Sequence, residues 1–149
     1  VIEDRSIREA AEHLLTDQLF GVLSTYGRDG PHSVIVSFAV SDHFRELIIV
    51  TPRSTRKFAN ILKEDSVSFF LDNRSNRITD LQRLTALEAR GRAVEIPQED
   101  ICSYRDIYSA KYPELKEFAE SPSNVLVKIK VKSYEVIHHF QNVTILDVT

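Results

Sequence analysis

The chain has 149 residues, enough for one hydrophobic core and short for two domains. Hydrophobic residues make up 42% and charged residues 28%, with only four Gly and five Pro, which excludes a collagen-like or low-complexity chain. Nineteen Lys and Arg against 22 Asp and Glu leave a net charge of −3, so bulk basicity does not argue for nucleic acid, and the single Cys102 excludes an internal disulfide and a multi-cysteine zinc site.

No stretch approaches the roughly 18 consecutive apolar residues of a membrane span. The first residues, Val1-Ile2-Glu3-Asp4-Arg5, lack the charged-then-apolar layout of a secretory signal. The expectation is a cytoplasmic protein that engages neither membrane nor nucleic acid.

The first element reads as a helix. Ser6-Ile7-Arg8-Glu9 has capping-box spacing, and Ile7, Ala10, Ala11, Leu14 and Leu15 form one apolar stripe behind it. Leu19 to Tyr26 is rich in β-formers, Gly27-Arg28-Asp29-Gly30 is a turn signal, and Val34, Val36 and Phe38 alternate with Ser33, Ile35 and Ser37, so together they read as a hairpin. After a polar turn at Ser41-Asp42-His43, Leu47-Ile48-Ile49-Val50 is a short, continuously apolar strand. Three strands in meander order before a long helix argue against alternating β-α-β units and for an antiparallel sheet or barrel.

Helical spacing returns from Thr55 to Glu64, with Phe58, Ile61 and Leu62 on one face. Val67 to Leu71 is a fourth strand, Asp72 to Arg77 a loop, and Leu84 to Ile96 a fifth strand in which Gly91 marks a bulge or a close backbone approach. Pro97 suits the first turn of a helix carrying Ile101, Tyr104, Ile107 and Tyr108, and a second short helix holds Leu115 and Phe118. Val125, Val127, Ile129 and Val131 alternate with Leu126, Lys128, Lys130 and Lys132, and Val143 to Val148 closes the sheet. The expected fold is mainly β: a single domain over 1–149, a six- to seven-stranded antiparallel split barrel of Greek-key type with flanking helices.

The most chemical stretch is Thr51-Pro52-Arg53-Ser54-Thr55-Arg56-Lys57, between a strand end and a helix start. A helix N-terminus offers unpaired N–H groups and a partial positive charge. Ser54 or Thr55 can cap it or donate a hydroxyl, Arg56 and Lys57 add full charges, and Arg53 can add a third. Such a place suits a phosphate monoester. The plainer reading is a capped surface helix that happens to begin with basic residues.

Phe20-Gly21-Val22-Leu23-Ser24-Thr25, Asp29-Gly30-Pro31, the strand Ser33 to Phe38, Thr51 with Thr55-Arg56-Lys57-Phe58-Ala59-Asn60-Ile61, Val67 to Leu71 and Ala86-Leu87-Glu88-Ala89-Arg90-Gly91-Arg92-Ala93 occur in an order and spacing that resembles the pyridoxamine 5′-phosphate oxidase-like family of flavin-binding split barrels. The resemblance implies FMN held at the interface of a homodimer. It places the FMN phosphate on Thr55, Arg56 and Lys57 with Ser54 beside them, Thr51 near the phosphate or ribityl chain, and the ring along Ser33, Val34, Ile35, Val36 and Ser37. It assigns Thr85 and Ala86, with the last strands near His138, His139, Phe140 and Gln141, to the half of the pocket supplied by the second copy. It implies an oxidoreductase acting on an unidentified small molecule. Alternatives within the same fold are a non-catalytic flavin sensor or carrier, a deazaflavin-dependent reductase and a haem binder.

The chain also departs from the namesake oxidase. It has no Trp, and His138-His139 lacks the flanking Arg of the oxidase's substrate clamp. Ser33 stands where the oxidase has an Arg. Oxidation of pyridoxamine phosphate is therefore not expected. Elsewhere the plain readings are favoured: one packed and one exposed residue at His138-His139, a surface His32, a packing role for Cys102, a packing stripe at Tyr104, Tyr108 and Tyr112, and a solvated face at Lys128, Lys130 and Lys132. No catalytic triad signature or Gly-rich phosphate loop is present in the sequence.

Overall fold

The computed structural model describes residues 2–139 and 142–148. A helix α1 (Ile2–Asp17) leads into strands β1 (Phe20–Gly27), β2 (Gly30–Ser37), β3 (Ala39–Val40) and β4 (Glu46–Pro52). Helix α2 (Arg56–Lys63), strand β5 (Ser66–Asp72), the short helix α3 (Asp80–Arg83) and strand β6 (Ala86–Glu95) follow. Helices α4 (Ile101–Lys111) and α5 (Lys116–Glu120) precede the long strand β7 (Asn124–His138) and the final β8 (Asn142–Asp147).

All pairings are antiparallel, in the order β2-β1-β5-β6-β7-β4-β3, with β8 also on β7. The two ends of this path, β2 and β3, are separated only by Phe38, so the sheet curls back on itself into a split barrel. After β1, β2 and β4, strand β5 returns beside β1, which is Greek-key order. The expected fold class is the observed one.

The barrel interior holds Leu23, Phe38, Leu47, Ile49, Phe69, Leu87, Val127 and Ile129, all fully buried. The stripe of α1 closes one end through Ile7, Ala11, Leu14 and Leu15. A second cluster lies outside the barrel, where α4 and α5 cover Ile48, Val50 and Leu126. Strand β4 is thus buried on both faces, which is why its sequence is continuously apolar rather than alternating.

Several local expectations change. Helix α1 begins at Ile2, so Ser6 lies inside it and is no cap; Glu9 pairs with Arg5 (3.4 Å) instead of reaching back to Ser6. The fifth strand runs from Ala86 to Glu95, leaving Leu84 and Thr85 outside it. Pro97 heads a turn closed by the Asp100 N–H on its carbonyl (3.0 Å), and α4 starts only at Ile101. The alternating pattern of β7 runs to Val131, and there a bulge interrupts it: Arg90 faces Ser133 while Gly91 faces Val131, skipping Lys132. Beyond it Tyr134 and Val136 point inward in place of odd-numbered residues. This parity change lets β7 pair with β4 along its first half and with β8 along its second.

Candidate functional site

Near the end of strand β4, Thr51 is fully buried, and the helix α2 begins at Arg56, four residues after the strand's last residue, Pro52. The Thr51 and Thr55 hydroxyls lie 2.9 Å apart, and Thr55 Oγ1 also donates to the Pro52 carbonyl (2.9 Å). Thr55 has the extended backbone of an N-cap (φ −81°, ψ 154°), but its hydroxyl makes no capping bond to the helix. The first-turn N–H groups of α2 therefore keep their donor capacity on the side where Arg56 and Lys57 stand. Both side chains lack a carboxylate within ion-pair distance among the described residues. Lys57 is half-buried, and burial lowers its pKa. Two basic residues at a helix start, one of them desolvated, oppose the macrodipole and suit an anion supplied from outside.

Arg53 does not join this group. It forks onto Glu95 (2.9 and 3.2 Å) and lies 5.9 Å from the Phe58 ring centre, so the third charge expected at the site is engaged elsewhere. Ser54 is exposed beside it. The rest of α2 anchors the site: Phe58 and Ile61 enter the core, and the buried Asn60 donates to Thr25 of β1 (3.0 Å).

On β2 the side chains divide by parity. Val34 and Val36 face the core, whereas Ser33, Ile35 and Ser37 face outward, Ile35 being 66% exposed. Ser33 bonds Ser24 (2.9 Å), which lines a groove of about 460 Å³ with Tyr26, Ser68, Glu88 and Arg90. Burial of Glu88 works against its ionisation, but Ser68 (2.6 Å) and Arg90 (2.7 Å) hold its carboxyl below the usual range. Ser37 bonds the phenol of Tyr108 (2.9 Å). Tyr112 accepts the Phe38 N–H (3.1 Å) and donates toward the Phe38 and Leu19 carbonyls (2.6 and 2.7 Å). Tyr108 of α4 and Tyr112 just past its end thus fix the β2–β3 junction, a role beyond packing that sequence reasoning missed, since their spacing of four residues signals only a shared face.

Thr85 and Ala86 lie apart from these groups. Thr85 exchanges backbone and side-chain bonds with Asn73 and lines a separate hollow under α1 with His13, Leu14, Asp17 and Gln18. Ala86 is buried between Asp72 and Ile137. The His138 and His139 rings stand 5.4 Å apart and nearly perpendicular, and His138 Nε2 meets Thr144 (3.2 Å); Phe140 and Gln141 lie outside the described residues. Lys128 is not part of a solvated face: Tyr104 covers it, accepting from its ammonium (3.2 Å) and donating to Glu46 (2.7 Å). Among the described residues no cluster of His, Cys, Asp and Glu could hold a metal ion, and no helix is long and apolar enough to cross a membrane.

A curled antiparallel sheet whose β4–α2 junction presents paired hydroxyls and basic residues defines a split-barrel protein. The chain belongs to the pyridoxamine 5′-phosphate oxidase family, whose model matches residues 7–138. Over 84 residues it is 36% identical to a 5a,11a-dehydrotetracycline/5a,11a-dehydrooxytetracycline reductase of Streptomyces rimosus subsp. rimosus; the match spans 54% of this chain and 58% of that protein, little more than half of each. Its fold is similar to that of a heme binding protein from Mycobacterium smegmatis (TM-score 0.83, 12% identity), covering 95% of this chain and 57% of the other. It is also similar to General Stress Protein 26 from Bacillus anthracis str. Sterne (TM-score 0.71, 24% identity), covering 95% and 98%.

Proposed function

We propose that this chain is an FMN-dependent reductase of a small molecule, working as a homodimer. The observation that carries this reading is the β4–α2 junction: the Thr51–Thr55 hydroxyl pair, an uncapped helix start, and Arg56 and Lys57 without carboxylate partners among the described residues. These groups fit a phosphate monoester. Thr55, Arg56 and Lys57 would hold the FMN phosphate, with Thr51 and Ser54 beside it, because charge-assisted donors match its oxygens. The strand Ser33 to Ser37 would lie along the ring: its backbone meets the polar edge, and Ile35, exposed on the outward face, covers apolar surface. Thr85 and Ala86, remote from the junction in one copy, would serve the pocket of the other.

Bound FMN supplies the two-electron redox chemistry. The chain's own residues bind the phosphate, orient the ring and hold β2 still through Tyr108 and Tyr112. The reductase relative supports reduction of an organic substrate as the direction of reaction. A cytoplasmic setting fits this chemistry.

Purified protein should be yellow, and mass spectrometry of the ligand released on denaturation should find FMN. A colourless protein that binds no added FMN overturns the reading; a Soret band would assign a haem, and a deazaflavin mass a different flavin. Turnover by reduced, FMN-loaded protein on a panel of organic acceptors separates a reductase from a flavin carrier.

A further inference from the structure

The segment between β5 and β6 is a closed arm that leaves apolar side chains in solvent. Its base is bracketed by Asn73, which donates its N–H to the Thr85 carbonyl (3.2 Å) and accepts the Thr85 N–H on Oδ1 (2.9 Å). Within it, Asp80 accepts from the Ser75 N–H and hydroxyl (both 2.7 Å) and from the Asn76 N–H (2.8 Å), while Arg74 forks onto Asp72. An arm ordered by its own bonds loses little further entropy on docking. Its tip nevertheless exposes Ile78 (80%) and Leu81 (58%).

The arm springs from one border of the outward sheet face. Its two ends, Asp72 and Ala86, stand in register with Ile137 and Val143. One row further along, Ile35, Val22, Phe70, Glu88, Glu135 and Ile145 lie side by side across the strands. Ile35, Val143 and Ile145 are more than half exposed on this face. The charges complement one another: Arg77 and Arg83 of the arm have no carboxylate within ion-pair distance among the described residues, while Glu135 has only a 3.8 Å contact with Arg90 and Asp147 is exposed.

We propose that the arm 73–85 docks on the outward sheet face of a second copy of this chain, seating Ile78 and Leu81 against its exposed Val143 and Ile145. A two-fold partner is the occupant because arm and face belong to one molecule: a two-fold rotation engages both arms and both faces at once, whereas an unrelated partner engages one. The inference rests on the two-copy reading above and adds the surface that makes it. It also gives the arm a function: it carries Thr85 at its base to the boundary between copies.

Sedimentation equilibrium of the full chain and of the double variant Ile78→Ser, Leu81→Ser, with far-UV circular dichroism and an FMN titration of each, tests this. The wild type should be dimeric at micromolar concentration, and the variant should keep its fold while its dimer dissociation constant rises by about 100-fold or more, as expected for two large apolar side chains left in water. Should the double variant lose its far-UV signal, Arg77→Glu reads the same surface from an exposed position, and it too should weaken the dimer. A variant that dimerises as tightly as the wild type overturns the arm while leaving the two-copy site standing. A wild type that stays monomeric when saturated with FMN overturns both. A wild type that dimerises through the arm but binds no FMN upholds the arm and overturns the flavin reading.

Discussion

The phenol oxygen of Tyr108 lies 2.9 Å from the hydroxyl of Ser37, joining the core of α4 to the outward face of β2. Tyr108 is fully buried and its ring packs 5.0 Å from that of Tyr112. The bond therefore fixes the end of the strand proposed to run beside the flavin. Tyr108→Phe keeps the ring and removes one hydrogen bond, at a cost of about 1 kcal/mol. The expected result is a thermal midpoint lower by a few degrees together with weaker FMN binding. An unchanged FMN affinity would show that α4 supports the barrel without positioning the site.

Lys57 should act oppositely on stability and on binding, and Arg56 on binding alone. Lys57 is desolvated without a carboxylate partner, so in the empty protein its charge is a burden. Lys57→Met should leave the protein as stable as the wild type or more so, while lowering FMN affinity by about 1.5–3 kcal/mol, the worth of a charge-assisted bond. Arg56→Ala should weaken binding without changing the unfolding midpoint, since Arg56 is exposed. Fluorescence titration and thermal denaturation of the same samples check the pair, and a Lys57→Met protein that binds FMN as tightly as the wild type removes the phosphate from this junction.

The barrel was legible in the sequence wherever one face of a strand is buried. Val125 to Val131 alternates because the odd positions enter the core, and Leu47 to Val50 is continuously apolar because α4 and α5 cover its second face. The β4–α2 junction was legible because hydroxyl and basic residues coincide at a helix start. Three features were not. Arg53 is drawn off by Glu95, forty-two positions away, and no local pattern encodes that pairing. The helix α3 is only four residues long and holds no buried residue, so it leaves no apolar stripe. The bonds of Tyr108 and Tyr112 to Ser37 and Phe38 span more than seventy positions, and their helical spacing reports only that the tyrosines share a face.

Lys111 makes stability depend on pH. Its ammonium donates to the Gln18 carbonyl (2.7 Å) at the end of α1 and stands 4.0 Å from the Phe38 ring centre. Burial lowers its pKa from 10.5 to about 8, partly offset by Asp17. Between those values the unfolded chain binds the proton that the folded chain has released, so stability rises with pH from about 8 toward 10. Tyr112, pushed by burial from 10.0 to about 12, has the opposite sign: above pH 10 the folded chain keeps a proton that the unfolded chain loses, and stability falls. Denaturant midpoints should therefore peak near pH 10 in the wild type, and the rise from pH 8 should shrink markedly in Lys111→Met. A wild-type midpoint that is flat or falls between pH 8 and 10 contradicts the assignment.

Gly91 sets the bend of β7. A Cβ at this position would overlap the Lys130 backbone carbonyl and crowd Val131, and backbone, unlike a flexible side-chain tip, cannot step aside. The close approach lies beside the bulge at Arg90–Gly91, where β7 changes parity and passes from β4 to β8. Gly91→Ala must either push β6 and β7 apart or shift the bulge, and a shift by one residue would turn Tyr134 and Val136 out of the core. Overpacking of a fixed site costs about 1–3 kcal/mol or more. Ala is the better strand former in an ordinary position, so any stabilisation by this substitution would show that the strands are not in contact here. The expected outcome is the reverse: a lower unfolding midpoint, with faster hydrogen exchange concentrated in β7 and β8. Exchange that rises equally across all strands would mean that Gly91 supports the barrel as a whole and not the bend.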